Sequence, residues 1–292
     1  MAALPLTLNC LGYKIPRLFY LGGKTDRLFM KMYQMLFGIA ALGVSCFNAA
    51  CSFDDSSSST VKPDYTVHEG TLVDERDGQV YKTVTIVDKY DDSVTWMAEN
   101  LNFEPKIGKS FCHECEKYGR LYTWAAAVDS AAEFSDEAKG FGFHKFIMSG
   151  YIELEGHVRG VCPEGWRLID YNDFDWFRML TKSGDPVNYA VKMMKSATDW
   201  NGIDEFGLNI LPAGYHYEGT YYATPSAEPE HVVEWREGGE AAYFWTSNDH
   251  GNAEGAFAEY FAPENYDPVY PDVQTSEVLT KFYGLSVRCI KR

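Results

Sequence analysis

Gly70-Thr-Leu-Val-Asp-Glu-Arg76, then Asp77-Gly78, then Gln79-Val-Tyr-Lys-Thr-Val-Thr-Ile-Val87: two β-prone runs meet across an Asp-Gly pair. Such a pair between alternating runs is the strongest short-range hairpin signal, because both residues tolerate positive φ. Tyr90-Asp-Asp-Ser93 turns into a third strand around Val94-Thr-Trp-Met-Ala98. Two helices follow. The first is expected over residues 122–134, where Ala125-Ala-Ala127 and Val128 supply helix propensity. The second is expected to be capped by Asp170, with Phe174, Phe177 and Leu180 or Thr181 at helical spacing and Gly184-Asp-Pro186 ending it. A shorter helix fits residues 187–196. From Asn201 onward the pattern is turns and short strands rich in Tyr, Trp and Gly, such as Gly207-Leu-Asn-Ile-Leu211, Ala242-Tyr-Phe-Trp-Thr246 and Tyr283-Gly-Leu-Ser-Val-Arg-Cys-Ile290. Strands first, helices next and strands last is an α+β order with a loop-rich C-terminal half, in which the chain ends can pair in one sheet.

Upstream of the hairpin the composition changes. Residues 52–69 read as a tether, opening on Ser52-Phe-Asp-Asp-Ser-Ser-Ser-Ser-Thr60, which is too polar to join a core. Residues 32–50 carry no charge and centre on Leu36-Phe-Gly-Ile-Ala-Ala-Leu-Gly-Val44, with Lys31 as a basic head. A basic start, a short apolar run and small residues at the cut describe a secretory signal over residues 30–51. The residue after Ala49-Ala50 is Cys51, so the segment resembles the lipobox of bacterial lipoproteins. That resemblance implies cleavage before Cys51, diacylation of its sulfur and an acylated new N-terminus, which together give stable membrane anchoring. Asn48 departs from the pattern, which favours an aliphatic residue there. Lipidation of Cys46 and an uncleaved transmembrane anchor are the alternatives. Residues 1–29 read as an over-extended start or as a long basic n-region carrying Lys14, Arg17, Lys24 and Arg27. The domain is expected over residues 70–292. Ser52 and Asp54-Asp55 fit sorting to the outer membrane and the cell surface.

Residues 1–51 hold five Lys/Arg against one Asp, so the −16 of the whole chain becomes −20 beyond Cys51. A charge that negative argues against nucleic acid and against anionic lipid as partners, and leaves the lipid anchor as the sole membrane contact. Beyond the anchor stand Cys112, Cys115, Cys162 and Cys289. An even count in an exported chain reads as two disulfides, and four cysteines allow three pairings.

Seven blocks give the chain a resemblance. They are Asp77-Gly-Gln-Val-Tyr-Lys-Thr-Val84, Trp96-Met-Ala-Glu-Asn-Leu-Asn102, Tyr118-Gly-Arg-Leu-Tyr-Thr-Trp-Ala125, Val158-Arg-Gly-Val-Cys-Pro-Glu-Gly-Trp-Arg-Leu168, Leu211-Pro-Ala-Gly-Tyr215, Tyr243-Phe-Trp-Thr-Ser247 and Gly284-Leu-Ser-Val-Arg-Cys289. In this order they resemble the Fibrobacter succinogenes major paralogous domain, over nearly all of residues 71–292. The resemblance implies a C-type-lectin-like fold, with terminal strands paired and a long loop region holding any ligand site. It also implies an exported protein. Three departures stand out: Ile169-Asp170 follows Trp166-Arg-Leu168, no cysteine pair stands near Gly140-Phe-Gly-Phe-His144, and Cys112 and Cys115 are closer than is usual. In a lectin-like fold the closing strand packs against the helical region, which implies a Cys162–Cys289 bridge and leaves Cys112 to Cys115.

Cys112-His-Glu-Cys115 has the spacing of a thiol-redox pair, which needs its first thiol at a helix N-terminus. A structural disulfide is the plainer reading, and zinc held with His113 a further one. Asn201-Gly-Ile-Asp-Glu205 offers oxygen ligands at calcium-like spacing through Asn201 and Asp204, though an Asn-Gly turn explains it as well. Glu228-Pro-Glu230 with Trp245-Thr-Ser-Asn-Asp249 loosely resembles the calcium-and-sugar site of true C-type lectins, which nominates Asn248 and Asp249. Tyr215, Tyr217, Tyr221, Tyr222 and Trp235 form a dense aromatic stretch, suited to stacking on sugars, to a protein partner or to core packing. The seven histidines are scattered, with no two on one helical face, and no Ser-His-Asp order stands out.

These features lead to a non-enzymatic, surface-exposed lipoprotein whose lectin-like domain binds a glycan or a surface protein, with calcium as a possible cofactor. The competing readings are a structural component of an envelope complex and an enzyme. The enzyme reading follows from a fold shared with formylglycine-generating enzymes. Those use a close cysteine pair near the C-terminus, where this chain has Cys289 alone.

Overall fold

The computed structural model describes residues 64–141, 158–180, 187–221, 228, 230–251, 254–263 and 274–291. Cys46, Cys51, residues 52–63 and Tyr222 lie outside them. The hairpin forms from β1 (Tyr65–Val73) and β2 (Val80–Asp88), paired antiparallel from Tyr65↔Asp88 to Val73↔Val80. Two corrections follow. Strand β1 begins inside the expected tether: the Tyr65 hydroxyl donates to Glu205 Oε1 at 2.7 Å and its ring lies 5.1 Å from Phe206, so an apolar anchor extends the strand backwards. Asp77-Gly78 is also not a two-residue turn. The loop spans residues 74–79, with the Gly78 N–H donating to the Asp74 carbonyl at 2.7 Å and Gly78 at φ 77°. The longer loop is held by buried Asp74, which binds Arg76 through Nε at 2.8 Å and Nη2 at 2.6 Å. Arg76 in turn lies 3.8 Å over the Phe103 ring and donates to the Val161 carbonyl at 2.8 Å. Strand β3 (Ser93–Met97) follows as expected and pairs with β2.

Beyond it, β4 (Ser110–Phe111) pairs with β5 (Leu121–Tyr122) around the single-turn helix α1 (Cys115–Tyr118). The helix expected over 122–134 is cut to one turn, α2 (Trp124–Ala127). Asp129 ends it. Its backbone is left-handed at φ 59°, and its carboxylate accepts the N–H groups of Glu133, Phe134 and Ser135 at 2.7–2.8 Å. A short acidic side chain that gathers nearby amides competes directly with helix propagation, and here it outweighs the alanine propensity. After β6 (Arg167–Leu168) come α3 (Asp175–Leu180) and α4 (Val187–Met194). Asp170 does not cap α3. Its Oδ1 accepts the Asn172 N–H at 2.8 Å in a turn, and the helix starts five residues later. Asp173 takes the role of organiser, bound by both terminal guanidinium nitrogens of buried Arg167 at 2.8 Å.

The C-terminal half is richer in strand than expected. It contains β7 (Tyr215–Tyr221), β8 (Glu230–Arg236), β9 (Ala242–Asp249), β10 (Gly255–Phe261), β11 (Gln274–Thr280) and β12 (Cys289–Lys291). Strands β7 and β8 form a separate hairpin, and β11-β10-β9 form a three-stranded sheet. Residues 207–211 contribute only an isolated bridge at Ile210, and the stretch before β12 threads through bridges at Leu285 and Ser286.

The main sheet has the order β1-β2-β3-β12-β6, so the final strand returns to the N-terminal sheet through β3 rather than β1. Successive residues point to opposite faces of a strand. Met97, Leu168 and Cys289 therefore enter one core with Trp124, Trp166 and Trp245. Their neighbours Trp96, Ile169 and Ile290 enter the other, with Phe174 and Phe177 of the α3 region and Val191 and Met194 of α4. The chain is thus α+β, built from small antiparallel sheets and short helices. Cys162 is bonded to Cys289, with Cα atoms 5.8 Å apart, and Cys112 to Cys115, at 5.0 Å. Fully buried Arg288 ties β3 and the loop at 208–209 to β12, donating to Asn100 Oδ1 at 2.6 Å and to the carbonyls of Met97 and Leu208 at 2.8 and 2.6 Å.

Candidate functional site

Period-two alternation splits β7 into two faces. Tyr215 and Tyr217 lie on one, and His216, Glu218 and Thr220 on the other. The polar face forms one side of a cleft of about 550 Å³, with Lys109, Thr123, His231 and Phe282 among its other walls. Lys109 Nζ stands 3.4 Å from Glu218 Oε2, and His231 Nε2 stands 3.5 Å from Glu218 Oε1, so one carboxylate lies between two basic groups. The Thr123 hydroxyl donates to the Lys109 carbonyl at 3.3 Å, holding that wall to the start of α2. Phe282, an aromatic residue of the lining, is 52 % exposed. Apolar surface with a few convergent polar groups, at this volume, is the ordinary make-up of a small-molecule or glycan site.

The cleft stands next to a stack of rings. Phe111 of β4 lies 3.5 Å from His216 at an interplanar angle of 11°, and His113 lies 5.5 Å from Trp235 at 9°. Between them His113 Nε2 and His216 Nδ1 share a hydrogen bond of 3.0 Å. Gly284 lets the stack close, since a Cβ there would sit 2.7 Å from the Phe111 ring and 2.9 Å from His216 Cβ. Burial pushes the His216 imidazole down to about 4, with His113 and Lys109 adding to the depression and Glu218 opposing it. Burial lowers His113 as well. His216 Nε2 is buried without a hydrogen-bond partner among the described residues. Histidines that are scattered in the sequence are thus paired across 103 residues, and only the tertiary fold reveals it.

The aromatic candidates sit mostly on the packing side. Tyr215 stacks on Tyr283 at 5.4 Å and meets Tyr243 edge-on at 5.3 Å, while Tyr217 packs against Tyr283 at 5.6 Å under the Arg236 guanidinium at 3.8 Å. Trp235 donates its Nε1 to the Ala213 carbonyl at 2.7 Å. Tyr221 is the last residue of β7, and Tyr222 lies outside the described residues. The lectin-like pair is committed elsewhere: Asn248 Oδ1 accepts the Tyr171 N–H at 3.0 Å, and Asp249 pairs with buried Lys281 at 2.8 Å. Asp204 turns its carboxylate onto its own loop, accepting the Asn209 N–H at 2.7 Å, and Asn201 takes the left-handed turn at φ 49°. Among the described residues no three His, Cys, Asp or Glu side chains are grouped to hold a metal ion. In the Cys112–Cys115 loop the helix starts at the second cysteine, with Glu114 left-handed before it, whereas a thiol-redox site needs the first thiol at the helix start.

The cleft residues went unnoticed in the sequence because they come from separate segments. A signal existed in Glu218 and Thr220, polar residues at alternate positions of a tyrosine-rich strand.

The model of one family, the Fibrobacter succinogenes major domain, matches residues 92–291. No curated protein and no solved structure matches the chain.

Proposed function

Because this chain belongs to the Fibrobacter succinogenes major domain family, we propose that it is an exported surface protein, anchored by a lipidated Cys51, whose domain binds a glycan or a protein. The domain is taken to be C-type-lectin-like. Support comes from the return of β12 to the N-terminal sheet and from the Cys162–Cys289 bridge that fastens it there. The observation that carries the binding reading is the cleft between β7, β8 and Phe282, which joins an exposed ring to a carboxylate and two basic groups. The acidic surface and the serine-rich stretch after Cys51 suit a tethered domain facing solvent.

A glycan array, with pull-down on insoluble polysaccharides and crosslinking on intact cells, tests this reading. Recovery of a protein partner without any glycan signal removes the carbohydrate half, and neither signal removes both. Loss of labelled palmitate from Cys51→Ser, with protease shaving of intact cells, tests the anchor and the surface location. The alternative of a structural component in an envelope complex draws on Val73 and Val80, which stand exposed where the edge strand β1 meets β2. Co-purification at fixed stoichiometry favours that alternative.

A further inference from the structure

Resting on the glycan half of that reading, we infer that the cleft takes a neutral hexose-type oligosaccharide rather than an acidic one, with Phe282 as the stacking platform and Glu218 as the acceptor for ring hydroxyls. A pyranose has two kinds of surface, a face of C–H bonds and an edge of hydroxyls. The negative face of an aromatic ring suits the first. Phe282 offers such a ring at the cleft, half exposed. For the second, an ionised carboxylate is acceptor-only, with about four lone-pair sites, and can take two adjacent hydroxyls at once.

Glu218 is positioned for this. Its two neighbours, Lys109 at 3.4 Å and His231 at 3.5 Å, stand at long ion-pair distances on exposed side chains. Such contacts are weak and screened by salt, so ligand hydroxyls can displace or share them. Lys109 then contributes donors to sugar oxygens. Exposed Thr220 from β7 adds a hydroxyl at the rim. A cleft of about 550 Å³ admits more than one sugar ring.

The same carboxylate discriminates by charge. A uronic acid would bring its own carboxylate against Glu218, with only Lys109 permanently positive beside it. The net charge of −20 beyond Cys51 adds repulsion toward a polyanion approaching the domain. A neutral ring meets neither penalty.

The test is calorimetric titration of the full chain in detergent with cellohexaose, maltohexaose and mannohexaose, against hexagalacturonate. At least one neutral hexaose should bind, and hexagalacturonate should bind at least about tenfold more weakly. Phe282→Ala and Glu218→Gln should each weaken the neutral ligand by about tenfold, the equivalent of 1.4 kcal/mol. Their melting temperatures should stay unchanged, since neither side chain is in a core. Stronger binding of hexagalacturonate overturns the inference. So does neutral binding that is unchanged in both variants, which leaves the glycan reading intact but moves the site. Failure of all four hexaoses overturns the inference together with the glycan half of the reading.

Discussion

Arg288 shows how much one side chain can carry. It is fully buried, burial pulls it down to about 9, and it satisfies three main-chain carbonyls and Asn100 Oδ1 across the junction of β3 and β12. Arg288→Ala leaves those acceptors without a partner and opens a cavity, so it should lower the unfolding free energy by about 3 kcal/mol or more. The urea midpoint of the variant is the measurement; a shift under 1 kcal/mol would mean water replaces the guanidinium. In sequence this residue is one arginine in a closing strand, and its burial is invisible there. The same holds for Lys109, Glu218, His231 and Phe282. Their chemistry is legible one at a time, but nothing local says that Lys109, the β7–β8 hairpin and Phe282 converge. The aromatic candidates pose the opposite case. Tyrosines suit ligands and cores equally, and here Tyr215 and Tyr217 stay partly buried while packing against Tyr243 and Tyr283.

Among the elements, the β7–β8 hairpin depends on the ring stack at its base. With its folded value at about 4, His216 lies below the ordinary imidazole value near 6.5. The unfolded chain therefore takes the proton first. The contribution of this site to stability is complete above pH 6.5, falls as pH drops through that window and levels off near 4, a loss of roughly 3 kcal/mol in all. Melting temperatures recorded from pH 7 to 4 should show that decline, and His216→Phe should flatten it while keeping a ring against Phe111. An unchanged slope in the variant would assign the acid sensitivity to the carboxylates instead. Element boundaries were legible where the local signal was unopposed, as in β2, β3, α4 and the start of β9. They were misread where a side chain reached back to the main chain. Asp129 stops α2 and Asp170 builds a turn ahead of α3, because Asp side chains offer the backbone an alternative to the helix.

For the whole molecule, the Cys162–Cys289 bridge spans 127 residues. In the chain-entropy model a loop of that length is worth roughly 4–5 kcal/mol. Cys162→Ser should lower the melting temperature by roughly 10 °C or more for a domain of this size. Cys115→Ser opens a loop of sequence separation 3 and should lower it by less than half as much. Equal falls in the two variants would place the stabilisation elsewhere. From sequence alone came the α+β order, the N-terminal hairpin, the family and the even cysteine count, since periodicity, turn residues and motif blocks are all local in the chain. Only the tertiary structure decided that β12 enters beside β3, that consecutive residues of one strand feed two different cores, that His113 meets His216, and that a cleft opens on the polar face of β7. Each of these depends on register and approach between distant segments. Those are set by the sum of many weak packing contacts, which no short stretch of sequence contains.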